Sequence, residues 1–235
     1  MISQQLQIPL GLDLTAIAVG GLGGGTGAAQ LGRESRIDVI GVAAIGIATG
    51  FGGSIVRDLL LNQLPAALHN DAYLLTALLA AFAGMAFAPL IERAATVLAV
   101  LDALTIGMYL SAGILKAERA GLPVGASVLV GVVACTGGGV IRDLLLGTEV
   151  TMVRVGSYYI TAALAGAAVF IPLHHVCPVV YATTATVAIA FTLRAVALHR
   201  GWTRPSARPL PLPRKPVGEY RDVVTEQADP GVDTV

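Results

Sequence analysis

The chain has 235 residues, of which 55% are hydrophobic and only 13% charged, and its mean hydropathy is +0.75. This composition excludes an ordinary soluble domain and is typical of a protein whose helices are surrounded by lipid. The 15 basic and 15 acidic residues cancel. There is therefore no net charge to attract nucleic acid, and we expect lipid rather than nucleic acid around this protein.

Seven segments are apolar over the roughly 20 residues that a helix needs to cross a bilayer. They cover residues 12–31, 38–61, 73–90, 95–115, 123–146, 158–173 and 177–198. After Arg200 the composition changes, because six of the chain's twelve prolines lie between Pro205 and Pro230 among charged residues. Such a segment cannot bury enough apolar surface to fold, so we predict a disordered tail.

One ten-residue segment occurs twice, with the copies 85 residues apart. Residues 52–61 and 137–146 both contain adjacent glycines followed by an Arg-Asp pair and three leucines. Equivalent positions continue into the next span, and upstream Asp13 corresponds to Asp102. These are duplicated halves. Because each half has three spans, the second half must cross the membrane in the opposite direction, as in many transport proteins.

The predicted fold is an all-α membrane protein with two inverted three-helix repeats and one extra helix. The repeats are residues 1–92 and 93–175, the seventh helix is 176–198, and the disordered cytoplasmic tail is 199–235. Orientation follows from Lys and Arg near the spans. The tail is basic at its start, and the loops on its side carry Arg33, Arg36, Arg93 and Arg154. We therefore place the C-terminus in the cytoplasm and the N-terminus outside.

Two charged pairs, Arg57-Asp58 and Arg142-Asp143, lie inside spans two and five. An unpaired charge at that depth costs at least ~2.5 kcal/mol, so each must have a partner. Two interpretations stay open. Each arginine could pair with the aspartate of the other half, as a structural lock, or the charges could contact the species that crosses the membrane.

Glycines precede both charged pairs, and glycine readily leaves the helical conformation. We predict that spans two and five are broken there and that the freed carbonyls face a pore, which suits a cation. The predicted pore residues are Gly52, Gly53, Ser54, Gly137, Gly138 and Gly139. Span one also carries overlapping G-x-x-x-G spacings between Gly20 and Gly27, which indicate a face for close helix packing.

Several other polar residues have two interpretations each. Asp13 and Asp102 are predicted to start spans one and four, where a carboxylate complements the helix dipole. Lys116, whose counterpart in the first half is Gly27, could extend to the membrane surface or act as a gate. The tyrosines at span entrances, Tyr73, Tyr158 and Tyr159, are interpreted as interfacial anchors. His174 and His175, in the predicted loop before span seven, could sense pH or be merely polar.

The sequence contains no G-x-S-x-G, H-E-x-x-H or Walker motif. We therefore expect no enzyme, and we assign no catalytic residue, metal site or cofactor.

The duplicated G-G-x-x-x-R-D segments, the Leu-Asp pairs at Leu12 and Leu101, and the Gly113-x-x-Lys116-Ala117 motif resemble bacterial trimeric intracellular cation channels. Sequences of this family are often labelled glycine transporter domain proteins. The resemblance covers residues 10–197. It implies a multi-pass protein of the bacterial plasma membrane, assembled as a homotrimer. Each subunit would have a potassium-permeable pore between broken spans two and five, and Lys116 would align with a basic position linked to gating.

Three functions are compatible with the sequence. A passive channel for monovalent cations such as K⁺ and Na⁺ is the first. A secondary transporter of glycine or another small amino acid uses the same inverted repeat. A scaffold that conducts nothing would use the Arg-Asp pairs only as locks.

Overall fold

The computed structural model describes residues 9–35, 37–90, 94–153 and 158–200. Within these ranges the chain forms seven α-helices and no β-strand, as predicted. Short 3₁₀ turns occupy Ala66–Leu68 and Ala88–Leu90. The tail beyond Arg200 lies outside the described residues, as do the loop residues Arg36, Arg93 and Arg154. The helices are α1 Leu10–Ser35, α2 Val39–Leu60, α3 Asp71–Phe87, α4 Ala94–Arg119, α5 Val124–Leu145, α6 Tyr159–Val176 and α7 Val179–His199.

Six of these helices, α2 to α7, are long and apolar enough to cross a membrane. The glycine-rich α1 is not among them, and its crossing stays a prediction. It packs against α2, α3 and α4. Helix interfaces in membranes are rich in small residues such as glycine, which explains the lower hydropathy of α1.

The glycines of α1 let three helices approach closely. A Cβ added to Gly21 would lie 3.1 Å from the Ala77 carbonyl oxygen of α3. A Cβ added to Gly24 would lie 2.8 Å from Gly46 Cα of α2. The second distance is too short for a real side chain and the first is tighter than nearly all real Cβ contacts, so the predicted close-packing face is confirmed.

The two repeated segments end their helices in the same way. Asn62 after α2 and Gly147 after α5 are 85 residues apart, and both adopt the left-handed conformation, with φ of 51° and 65°. The next residue in each half donates its N–H to the carbonyl of Asp58 or Asp143, at 2.8 and 2.9 Å. This is the glycine-type helix ending, which satisfies carbonyls that the helix leaves free.

We expect Gly147→Ala to lower the free energy of unfolding by about 1–2 kcal/mol, the usual cost of left-handed backbone for a residue with a Cβ. A Cβ at Gly147 would meet nothing within 4 Å, so the loss would be conformational. Gly125→Ala is the matched control, since it is equally free of contacts but lies inside α5, where alanine favours the helix. Thermal unfolding in detergent measures both variants, and an equal loss in the control would contradict this explanation.

Candidate functional site

The predicted breaks in spans two and five are wrong, because α2 and α5 are continuous through their glycines. The glycines instead allow the two helices to cross in backbone contact. A Cβ added to Gly52 would lie 2.8 Å from Gly138 Cα, and one added to Gly53 would lie 2.5 Å from the Ala134 carbonyl oxygen. Glycine is therefore needed at this crossing for lack of a side chain, not for backbone freedom.

The remaining predicted pore residues differ in how tightly they are packed. A Cβ on Gly137 would lie 3.2 Å from the Gly52 carbonyl oxygen, so Gly137 belongs to the crossing. Gly139 does not, since its nearest neighbour would be the Tyr159 hydroxyl at 3.8 Å. Ser54 is buried and donates its hydroxyl to the Phe51 carbonyl at 2.9 Å. Its hydrogen bond is made within α2.

Four buried charged side chains form the group that we name cluster one: Asp13 of α1, Arg57 and Asp58 of α2, and Lys116 of α4. Arg57 Nη1 lies 2.8 Å from Asp13 Oδ1, and Arg57 Nε lies 2.7 Å from Asp58 Oδ1. Lys116 Nζ lies 2.8 Å from the same Asp58 oxygen. The other Asp58 oxygen accepts the Ala66 N–H at 2.9 Å. Each charge therefore has a charged partner inside the protein.

Cluster two repeats this arrangement with Asp102 of α4 and Arg142 and Asp143 of α5. Arg142 Nη1 lies 2.7 Å from Asp102 Oδ1, and Arg142 Nη2 lies 2.8 Å from Asp143 Oδ1. Asp143 Oδ2 accepts the Thr151 N–H at 2.8 Å, the equivalent of the Ala66 bond. Planar guanidinium groups suit this simultaneous contact with two carboxylates.

The predicted lock between the halves is wrong, because each arginine pairs within its own half. The first and second helices of each half are neighbours, α1 with α2 and α4 with α5, so the local carboxylate is the one within reach. Asp13 lies in the first turn of α1, but Asp102 does not start a helix. Because α4 begins at Ala94, Asp102 is well inside it and serves Arg142 instead.

Lys116 does not extend to the membrane surface, since only 6% of the residue is exposed and it binds Asp58. Cluster one therefore has two carboxylates and two cations. In cluster two the place of Lys116 is taken by Gly27, where an added Cβ would lie 3.7 Å from Arg142 Cδ. Among the described residues, cluster two thus has two carboxylates and a single cation. The two clusters therefore differ by one positive charge, that of Lys116.

A narrow cavity lies between α1, α2, α4 and α5, beside cluster two. Its lining residues include Asp102 and three residues that carry hydroxyl groups, Thr49, Thr105 and Tyr109. Glycines of α1 and α5 complete it, among them Gly138 and Gly139. Oxygen-bearing side chains of this kind suit alkali and alkaline-earth cations rather than anions. The composition of the lining therefore favours a cation over an anion.

Two buried tyrosines donate hydrogen bonds to backbone carbonyls near this cavity. Tyr109 donates its hydroxyl to the Gly50 carbonyl, and Tyr159 donates to the Cys135 carbonyl at 2.9 Å. Gly50 and Cys135 are equivalent positions of the two halves. The interfacial role predicted for Tyr73 and Tyr159 is wrong, since both are buried. The sequence analysis missed Tyr109, although its position in the middle of an apolar span could have indicated it.

Arg194 of α7 is a further buried cation near cluster two. Its guanidinium lies over the Tyr159 ring, 4.7 Å from the centroid. It forms no ion pair with a carboxylate of the described residues, and its Nε and Nη1 have no hydrogen-bond partner there. Stacking on an aromatic face is a common way to hold a buried arginine.

The histidine pair lies in the last turn of α6 and not in a loop, which corrects the sequence prediction. His174 is partly buried, and its Nε2 lies 2.6 Å from Glu118 Oε2 of α4.

The seven helices, buried charge clusters and six apolar spans define a multi-pass α-helical membrane protein. The family model described as "Glycine transporter" matches residues 10–89 and 99–175. Over 205 residues the chain is 36% identical to a UPF0126 membrane protein of Deinococcus radiodurans, covering 85% of this chain and 92% of that protein. The chain belongs to this membrane-protein family.

Solved structures share the fold. The TRIC trimeric intracellular cation channel orthologue from Rhodobacter sphaeroides superposes with a TM-score of 0.73 at 32% identity, covering 81% of this chain and 97% of that chain. A structure solved to explain conductance through TRIC cation channels has a TM-score of 0.70 at 28% identity, covering 84% and 98%. The resemblance drawn from the sequence motifs is confirmed.

Proposed function

We propose that the protein is a monovalent-cation channel, permeable to potassium, in which each subunit conducts through the cavity beside Asp102, at the crossing of α2 and α5. The similarity to solved cation channels supports the function. The observation that carries the position is the lining of the cavity, to which α4 contributes Asp102, Thr105 and Tyr109 and α2 contributes Thr49.

The charge difference between the clusters supports a cation as the permeant species. A buried carboxylate is costly without a compensating charge, and cluster two has one carboxylate more than it has cations. Arg194 stacks on Tyr159 and forms no ion pair with either carboxylate, so a single monovalent cation in the cavity would supply the charge that cluster two lacks. Cluster one is neutral, and we assign it a structural role. Lys116 is a candidate gate, because it connects α4 to Asp58 of α2.

Assembly and orientation form part of the same proposal. The R. sphaeroides relative is a trimeric channel, which supports a homotrimer here. The basic residues near the predicted cytoplasmic side support a multi-pass protein of the bacterial plasma membrane with its C-terminus in the cytoplasm.

The alternative is a transporter of glycine or another small amino acid, which the family description supports. Transporters of that kind hold the substrate carboxylate at the N-termini of broken helices near the midplane. Since α2 and α5 are continuous, they do not provide such ends, and the channel explains the structure better.

The deciding experiment is Gly27→Lys in proteoliposomes of the purified protein, with potassium release and uptake of labelled glycine measured in parallel. The new ammonium group occupies the position equivalent to Lys116 and can reach Asp143, as Lys116 reaches Asp58. A unit charge about 4 Å away contributes ~4 kcal/mol at an effective dielectric of about 20. We expect potassium release to fall by about tenfold or more.

Gly27→Met is the matched control, because it adds similar bulk without charge. A Cβ at Gly27 has only ordinary contacts, the nearest at 3.5 Å. Size-exclusion chromatography and thermal unfolding of both variants check that the longer side chains are accommodated. Equal inhibition by Lys and Met would show that bulk, not charge, matters, and would count against the proposed site. Saturable glycine uptake without potassium release would contradict the channel and favour the transporter.

A further inference from the structure

The ends of α4 and α6 bring together three side chains that metal ions prefer. Glu118 is in the last turn of α4, and His174 and His175 are in the last turn of α6. One ligand atom from each lies within 4.8 Å of the other two. Two imidazoles and one carboxylate are a frequent ligand set for zinc and other transition metals.

The orientation of His174 favours metal binding. Its Nδ1 lies 3.0 Å from the Phe170 carbonyl, which can only accept, so Nδ1 carries a hydrogen. Nε2 is then the nitrogen that faces Glu118, and its lone pair becomes available to a metal ion when the proton shared with that carboxylate leaves. A histidine ligand held by a backbone carbonyl on its other nitrogen is the usual arrangement around protein-bound zinc. The ring is also fixed by stacking on Phe170, with centroids 4.9 Å apart.

The distance between His174 and Glu118 is that of a hydrogen bond and is shorter than the distance between two ligands of one metal ion. Nε2 of His174 and Oε2 of Glu118 are 2.6 Å apart and share a hydrogen bond. Zinc bonds of about 2.0–2.1 Å in a tetrahedron separate neighbouring ligand atoms by about 3.3 Å. The metal would thus replace the shared proton after a small outward movement of Glu118. The exposed His175 offers the route of entry and the third ligand, and water would complete the coordination.

We propose that Glu118, His174 and His175 bind one zinc-type transition-metal ion that ties the C-terminal end of α4 to that of α6. Glu118 is two residues from Lys116, which holds Asp58 of cluster one. The ion would therefore restrain the turn of α4 that carries Lys116. This inference concerns binding and does not depend on what the protein conducts.

The test is zinc titration of the purified full-length protein, freed of any polyhistidine tag. We expect one Zn²⁺ per chain with a micromolar or tighter dissociation constant, and a rise of several degrees in the unfolding temperature. Calcium at the same concentration should produce no such rise, because imidazole suits zinc and not calcium. Acidification should weaken binding, since zinc must displace protons from its ligands.

Substitutions of the proposed ligands test where zinc binds. His175→Ala removes an exposed ligand whose ring lies 3.9 Å from that of His174, but it leaves the contacts of His174 with Phe170 and Glu118 in place. Glu118→Gln removes the carboxylate charge. Each should lower zinc affinity at least tenfold. His69→Ala, at an exposed histidine outside the ligand group, should leave it unchanged. Unchanged affinity in both ligand variants, or equal loss in the His69 control, would overturn the proposal.

Discussion

Arg142→Gln is expected to lower the free energy of unfolding by about 3–5 kcal/mol, the cost of leaving a buried ion pair without one partner. Arg142 is the only cation of cluster two among the described residues, and it contacts both Asp102 and Asp143. Without it, two buried carboxylates face each other across α4 and α5. The measurement is thermal or chemical unfolding in detergent, with monodispersity checked by size-exclusion chromatography.

Arg57→Gln gives an internal comparison and should be less harmful, because Lys116 still binds Asp58 in cluster one. Asp71→Asn is the control, at an exposed position of the first turn of α3, and should change stability by less than about 1 kcal/mol. Combining Arg142→Gln with Asp102→Asn should recover part of the loss, since the two side chains are coupled. A near-normal Arg142→Gln protein would refute the role given to cluster two.

Gly53→Ala is expected to destabilise the protein by about 1–3 kcal/mol, the range for an overpacked interior. The new Cβ would lie 2.5 Å from the Ala134 carbonyl oxygen and 3.1 Å from the Tyr109 ring. Neither backbone nor a buried ring can move away easily, so α2 and α5 must separate. The unfolding temperature and the oligomeric state in detergent report the change.

The matched control is Gly139→Ala, in the second copy of the same repeated segment. Its Cβ would meet only the Tyr159 hydroxyl at 3.8 Å, an ordinary contact, and alanine favours the helix. We expect neutral or slightly higher stability. If both alanines destabilised equally, the glycines would act through backbone conformation, and the explanation by close packing would fail.

The glycine-rich segments show where sequence reasoning reaches its limit. The presence of adjacent glycines before an Arg-Asp pair pointed to the right place, the crossing of α2 and α5. It did not distinguish a glycine that bends the chain from one that admits a neighbouring backbone. That distinction depends on what lies 2.5–2.8 Å from the missing Cβ, and another helix supplies it.

The charged residues give a second example. Burial of Arg57 and Arg142 followed from their position inside apolar spans, and so did the need for partners. The full set of partners did not follow from the sequence. Each arginine binds the aspartate next to it, Asp58 or Asp143. Asp13 and Asp102 became the second partners through the packing of α1 on α2 and of α4 on α5.

By itself the sequence determined the membrane class, the seven helices and the duplicated halves, since hydropathy and repeated motifs are local properties of the chain. It also revealed that the counterpart of Lys116 in the first half is the uncharged Gly27. Only the tertiary structure decided that Gly27 lies beside Arg142, and that Glu118 meets two histidines of α6. Contacts between helices depend on which faces pack together, and side chains 56 residues apart can meet only after that packing is set.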